Sequence, residues 1–248
     1  MSATIVLVHG AWHGAWCWDP VAAVLRHRGY DVVALDLPGH GSDPGPFQDL
    51  HGDANSVRSA LETIDGEVVL VGHSYGGAVV TEAGTHPAVA RLVYLAAFCI
   101  DEHESCAAAL HDDPEAAAIS HAGRPDLGDV IVLADDGTCT LTREGAAECL
   151  YNDCDPTSTE WALDRIGAQP MVNLTQSPAV AAWRTQPSTY VVCEDDQTVH
   201  PELQTLLARR CEQVERWPLD HSPFLSDPDR VAAMLTALAE RQSGSSVT

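Results

Sequence analysis

An α/β fold on a mostly parallel central sheet is what the sequence predicts, and three observations predict it. Short apolar runs alternate with helical patterns from residue 4 to residue 97. The runs are apolar without a polar partner face, as strands buried on both sides are. One of them, Val68 to Val71, passes through Gly72-His73-Ser74-Tyr75-Gly76 directly into a helical pattern, Gly77-Ala78-Val79-Val80. Strands and helices that alternate in this way require a parallel sheet covered on both faces.

Thr4 to Val8 reads as a central strand, followed by a Gly-rich loop, His9 to Trp16. Asp19-Pro20 opens a helix with a capping residue and a first-turn proline, and Gly29 stops it. Asp31 to Leu35 is the next strand, and Asp53 to Ile64 is an amphipathic helix with Val57, Leu61 and Ile64 on one face. The helix after Ser74 ends near His86-Pro87, and Arg91 to Ala97 is a further buried strand. From Ile100 to Pro187 the rhythm breaks. Helices are expected at 103–111, 114–121, 143–151 and 157–166, and a hairpin over 130–142 turns at Asp135-Asp136-Gly137. A segment this long is no simple connection; it reads as an inserted lid at 100–187, between core portions 1–99 and 188–248. The core resumes with strand Ser188 to Cys193, helix Pro201 to Arg210, strand Gln213 to Trp217 and a last helix from Asp227-Pro228 to about Gln242. That makes about six core strands, with an unstructured tail at 243–248.

A chain of 248 residues with 45% hydrophobic content can bury a sizeable single core. The net charge is −23, and all 13 basic residues are arginine. Such a surface repels nucleic acid and anionic membranes. No apolar run approaches ~18 residues, the length of a membrane span. The first residues lack a basic n-region, so a cytoplasmic location is expected. The eight cysteines form no C-x-x-C pair and no zinc-finger spacing, so free thiols are expected, Cys149 and Cys154 being the closest candidates for oxidation. Homodimer formation stays open.

The chemistry centres on Ser74. A tight strand-to-helix turn strains the serine backbone and throws its side chain clear of the sheet, and Gly72 and Gly76 let strand and helix approach around it. The new helix directs its free N–H groups at whatever the serine attacks. A serine hydroxyl is a weak nucleophile and needs a base held by a carboxylate. His221 lies past the last strand, and Asp195 and Asp196 lie past the strand before it. Loops at the C-terminal ends of parallel strands are where open α/β sheets bind ligands. The order serine, aspartate, histidine belongs to one of the known serine-hydrolase arrangements.

Three stretches carry a family resemblance: VLVHGAWHGAWCW at 6–18, VGHSYGGAVV at 71–80 and DHSPFLSDP at 220–228, with YVVCEDDQTVHPELQ at 190–204 a looser match. The chain resembles the small-lid group of α/β-hydrolases that contains plant methyl esterases and α-hydroxynitrile lyases. The resemblance implies Ser74 as nucleophile, His221 as general base and then acid, and Asp196 as the orienting carboxylate. Asp196 fits the register before the proline-initiated helix better than Asp195, and Asp101 is a distant third. It implies an oxyanion hole from the backbone N–H groups of Ala11 and Tyr75, and no cofactor or metal.

The expected reaction is hydrolysis of a carboxylic ester of a small or medium apolar acid. Two alternatives stand beside it. One is a lyase or cyclase on the same scaffold; the lyases of the group carry a threonine and a lysine where this chain has Gly10 and Ser222. The other is a small-molecule binding protein using the lidded pocket. His73 is expected to point into the core, and His9 and His13 to brace the oxyanion loop. His40 reads as structural, and the lid histidines His103, His111 and His121 as solvated surface rather than metal ligands. Trp12, Trp16 and Trp18 are expected to pack the loop, with Trp161 and Trp183 divided between pocket and core.

Overall fold

The computed structural model describes residues 2–111 and 127–245. Six parallel strands form the central sheet: β1 (Thr4–Val8), β2 (Val32–Leu35), β3 (Val68–His73), β4 (Val89–Leu95), β8 (Ser188–Cys193) and β9 (Gln213–Trp217). Their order across the sheet is β2-β1-β3-β4-β8-β9, every neighbour parallel. β3 sits inside the sheet, so its C-terminal end, which carries Ser74, is flanked on both sides.

Each strand face buries against a different layer, which explains the unbroken apolar runs. Val6, Val8, Leu70, Leu92, Tyr94 and Tyr190 pack toward helices α2 (Leu50–Leu61) and α3 (Gly76–Ala83). Ile5, Leu7, Val69, Val71, Val93 and Leu95 pack toward helix α1 (Asp19–His27) and a C-terminal helix that starts at Pro228. Residues two apart along a strand share a layer, as the pleat requires.

Two helix boundaries differ from the sequence reading. α2 starts at Leu50, and Asp49 is its N-cap, accepting the Gly52 N–H at 2.9 Å. Asp53, read as the helix start, lies inside the helix and is fully buried. The last helix runs to Ser245 rather than ending near Gln242, so residues 243–245 of the expected tail are helical.

Between β4 and β8 the chain builds α4 (Cys106–His111), α5 (Leu127–Val130), a hairpin of β5 (Ile131–Leu133) and β6 (Thr138–Leu141), α6 (Arg143–Leu150), α7 (Pro156–Leu163), β7 (Gln169–Pro170) and α8 (Met171–Thr175). The expected helix at 114–121 lies outside the described residues. β7 adds to the hairpin to make a separate three-stranded sheet, and neither β7 nor α8 is foreseen by the sequence pattern. After β8 come α9 (Pro201–Ala208), α10 (Pro223–Ser226) and α11 (Pro228–Ser245).

Candidate active site

Ser74 sits at φ 50, left-handed backbone that a β-carbon disfavours. The turn holds it there from both sides. The Ser74 carbonyl accepts the N–H of Gly77 at 2.9 Å and of Phe98 at 3.1 Å, and the Ser74 N–H donates to Leu95. Glycine is required next door: a β-carbon on Gly76 would lie 2.5 Å from the His9 carbonyl oxygen and 2.7 Å from that of Val8. The nucleophile turn and the Gly-rich loop after β1 are therefore in direct backbone contact. Trp12 in that loop and Ala96 after β4 also have positive φ, 63° and 47°, so three strained residues cluster at one sheet edge.

His221 and Asp196 meet at 2.7 Å, Nδ1 to Oδ2, both buried. Nδ1–H donates to the carboxylate, which leaves Nε2 as the acceptor on that ring. Three other donors reach Asp196: the Thr198 and Val199 N–H groups at 2.7 and 2.9 Å, and Gln204 Nε2 at 2.8 Å. A carboxylate met on both oxygens is fixed in orientation. Asp195 points to solvent and engages only through its backbone, with its N–H on the Leu219 carbonyl at 3.0 Å. Asp101 pairs instead with Arg184.

His73 is buried in the core, and it does more than fill space. Its Nε2–H donates to the His221 carbonyl at 2.8 Å, and the two rings lie 4.7 Å apart. The residue before Ser74 thus ties down the backbone of the residue that carries the imidazole. Nothing in the spacing of the sequence announces this bond across 148 positions.

The loop after β1 is braced by two neutral histidines. His9 Nδ1–H donates to the Gly10 carbonyl, and its Nε2 accepts the Leu37 N–H at 3.1 Å. His13 Nδ1–H donates to the Ala11 carbonyl, and its Nε2 faces the Tyr151 hydroxyl at 2.8 Å. Burial lowers His9 to about 3 and His13 to about 4, so both rings keep the acceptor nitrogen that the brace requires. Desolvation and the neighbouring His221 and His13 likewise push His73 well below the usual histidine range.

A cavity of about 210 Å³ opens above Ser74. Ala11 and Tyr75 stand in its wall, and their backbone N–H groups have no acceptor among the described residues. Phe98, Leu127, Ile131, Met171 and Leu174 make the lining apolar, with Thr198 and His200 as polar exceptions. Four of those five apolar residues come from residues 100–187. Among the described residues no arginine is in the lining. Trp12 belongs to this wall, besides packing the loop. Trp161 instead stacks edge-on to Trp16, and the Trp183 N–H donates to the Ile100 carbonyl.

All eight cysteines are free. The sulfurs of Cys99 and Cys211 lie 3.8 Å apart. No group of three or more potential metal ligands occurs among the described residues. No described helix is long and apolar enough to cross a membrane.

A strained serine between a parallel strand and a helix, under an apolar cavity, with its neighbour His73 bonded to the backbone of a carboxylate-held imidazole, defines a hydrolase class. The chain belongs to the alpha/beta hydrolase family, whose model matches residues 5–234. It is 30% identical to the alpha/beta hydrolase nvfD of Aspergillus novofumigatus, over 95% of this chain and 96% of that one. It is 28% identical to methylesterase 7 of Arabidopsis thaliana, over 95% and 96% of the two chains. A crystallised pyrethroid hydrolase from Sphingobium faniae superimposes with a TM-score of 0.83 at 26% identity, covering 97% of this chain and 98% of that one. The group is that of the methylesterases, and the activity class is ester cleavage.

Proposed function

We propose that the protein is a cofactor-free serine esterase acting on a neutral ester of a small or medium apolar acid. The observation that carries this reading is the buried His221–Asp196 pair, tied through the His221 backbone to His73, the residue beside Ser74. In this reading Ser74 Oγ attacks the ester carbonyl while His221 Nε2 takes its proton. Asp196 holds the ring in the right tautomer and stabilises the imidazolium. The carbonyl oxygen becomes an oxyanion and is met by the N–H groups of Ala11 and Tyr75; one such donor is worth about 3 kcal/mol. His221 then protonates the leaving alcohol. Water, activated by the same ring, hydrolyses the acyl-enzyme.

The 100–187 segment acts as the lid over a core made of residues 1–99 and 188–248. It supplies most of the apolar wall, so acyl-group choice resides there. An apolar wall with no arginine among its described residues favours uncharged esters over carboxylate-bearing ones, and hydrolysis over cyanohydrin cleavage. The residue after His221 is Ser222, whose buried hydroxyl cannot stabilise a departing cyanide as an ammonium would.

A serine-directed fluorophosphonate tests the assignment. The native protein should be labelled, Ser74→Ala should not, and p-nitrophenyl butyrate should be turned over while mandelonitrile is not. Equal labelling of both proteins removes Ser74 as nucleophile, and an unlabelled native protein without turnover points to a binding protein.

A further inference from the structure

Asp53 on α2, Tyr75 beside the nucleophile and Asn173 on α8 meet in a closed cluster away from the catalytic pair. All three are buried. The Tyr75 hydroxyl donates to Asp53 Oδ2 at 2.7 Å. Asn173 Nδ2 donates to the same oxygen at 2.8 Å and approaches the Tyr75 hydroxyl at 3.1 Å. Two acceptors in the cluster, Asp53 Oδ1 and Asn173 Oδ1, are buried with no partner. The cluster is therefore short of a donor, and an unmet buried acceptor is costly. One proton on the carboxyl group supplies the missing donor and removes a buried charge.

We propose that Asp53 is a positioning residue for ester cleavage: held as the neutral acid, it clamps the Tyr75 side chain, together with Asn173 of the insertion, so that the Tyr75 N–H stays aimed at the developing oxyanion. The proposal rests on the reading of Tyr75 as an oxyanion donor. The phenol is anchored at its far end while the same residue faces the cavity above Ser74. Ionised, Asp53 would place a negative charge behind the residue that must stabilise another, in surroundings that screen poorly.

The surroundings set where that ionisation falls. Burial raises Asp53 to about 7, against the hydrogen bonds from Tyr75 and Asn173, which lower it, and Asp49 one turn earlier adds to the rise. On α3, Glu82 is paired with His51 and Arg58 of α2, so its charge is met. On α4, the Cys106 thiol is buried and its pKa is raised, so it carries no charge to Tyr75 near neutral pH. α8 brings no charged side chain.

The test is the rate of fluorophosphonate labelling from pH 6 to 9, with melting curves on each variant to show folding. In the native enzyme the rate should fall about tenfold as pH rises through Asp53 ionisation. Asp53→Asn, permanently neutral, should lack that alkaline fall. Asn173→Leu, which removes a hydrogen bond that favours the carboxylate, should move the fall to higher pH. Tyr75→Phe should lower kcat for p-nitrophenyl butyrate about tenfold with KM changed less than twofold. A native rate flat to pH 9, or an Asp53→Asn profile with the native fall retained, overturns the positioning role while labelling of Ser74 stands. Labelling that survives Ser74→Ala removes the underlying reading, and the proposal with it.

Discussion

The sheet edge and the 100–187 segment solve different problems with different means. At the edge, backbone does the holding: Ser74 is fixed through its own N–H and carbonyl, and Asp196 takes two of its four bonds from backbone N–H groups. The 100–187 segment packs apolar side chains on the core and adds polar side-chain ties to it. Tyr151 faces His13, Asn173 reaches Asp53, Gln176 bonds Asp49, and Gln169 accepts from the Trp12 N–H and faces His40. Backbone clamps hold reacting groups in place, whereas side-chain ties can be exchanged without unmaking the sheet. The backbone-held edge carries Ser74 and Asp196, and most of the apolar cavity wall comes from the 100–187 segment.

The largest effect should separate two adjacent carboxylates at the edge. Asp196→Asn should lower kcat by a factor on the order of 10³–10⁴, as loss of the orienting acid does in serine hydrolases generally, while Asp195→Asn should stay within about twofold. Steady-state kinetics on one aryl ester decides it, and comparable losses would break the distinction between them. Gly76→Ala should cost about 3 kcal/mol of stability or more by the usual cost of overpacking, because the new β-carbon meets backbone carbonyls that cannot turn aside. Denaturant melts with an unchanged midpoint would show the contact between turn and loop to be loose.

Acid should act on the edge before it acts on the ties. The rings of His9 and His13 hold folded-state values of about 3 and about 4, below the ordinary histidine value. The unfolded chain takes up protons that the native rings refuse, so their contribution is complete above about pH 6.5 and is lost as pH falls toward 4. Asp53 has the opposite sign: its value is raised to about 7, and its contribution grows as pH falls from there toward the ordinary carboxylate range. Melting temperature should drop on acidification from pH 6.5 to 4, and more steeply in Asp53→Asn, which lacks the offset. Parallel slopes would remove Asp53 from the account. The smallest change belongs to a single tie: Tyr151→Phe deletes the hydroxyl facing His13 and should cost about 1–2 kcal/mol, with kcat changed only a few-fold. A loss of activity as large as that of Asp196→Asn would mean that the insertion, too, holds the reacting groups.

Much of the edge could be read from the chain. The Ser74 turn is local: strand run, two glycines and helix start lie within fifteen residues, and their steric logic needs no distant partner. The strands β1 and β8 match their expected bounds because buried strands of this kind have one use in a doubly covered sheet, and the edge strand β9 matches as well. The choice between Asp195 and Asp196 was weaker, because two adjacent aspartates differ only in which way the backbone turns after β8. Asp53 lies inside α2 rather than at its start. An aspartate near an apolar-periodic segment resembles a helix start, and only packing against Tyr75 and Asn173 turns it inward. Trp12 was assigned to loop packing, yet its strained backbone also puts it in the cavity wall.

By itself, then, the sequence determined what depends on near neighbours: the parallel sheet, the strained serine turn, the chain order of Ser74, Asp196 and His221, and the acidic character of the chain. The tertiary structure alone decided what depends on pairs far apart in the chain: which carboxylate holds His221, how His73 anchors it, what lines the cavity, and that an acid lies buried behind Tyr75. Local sterics are written in runs of a few residues, whereas burial and hydrogen bonding across a hundred positions exist only once the chain has closed on itself.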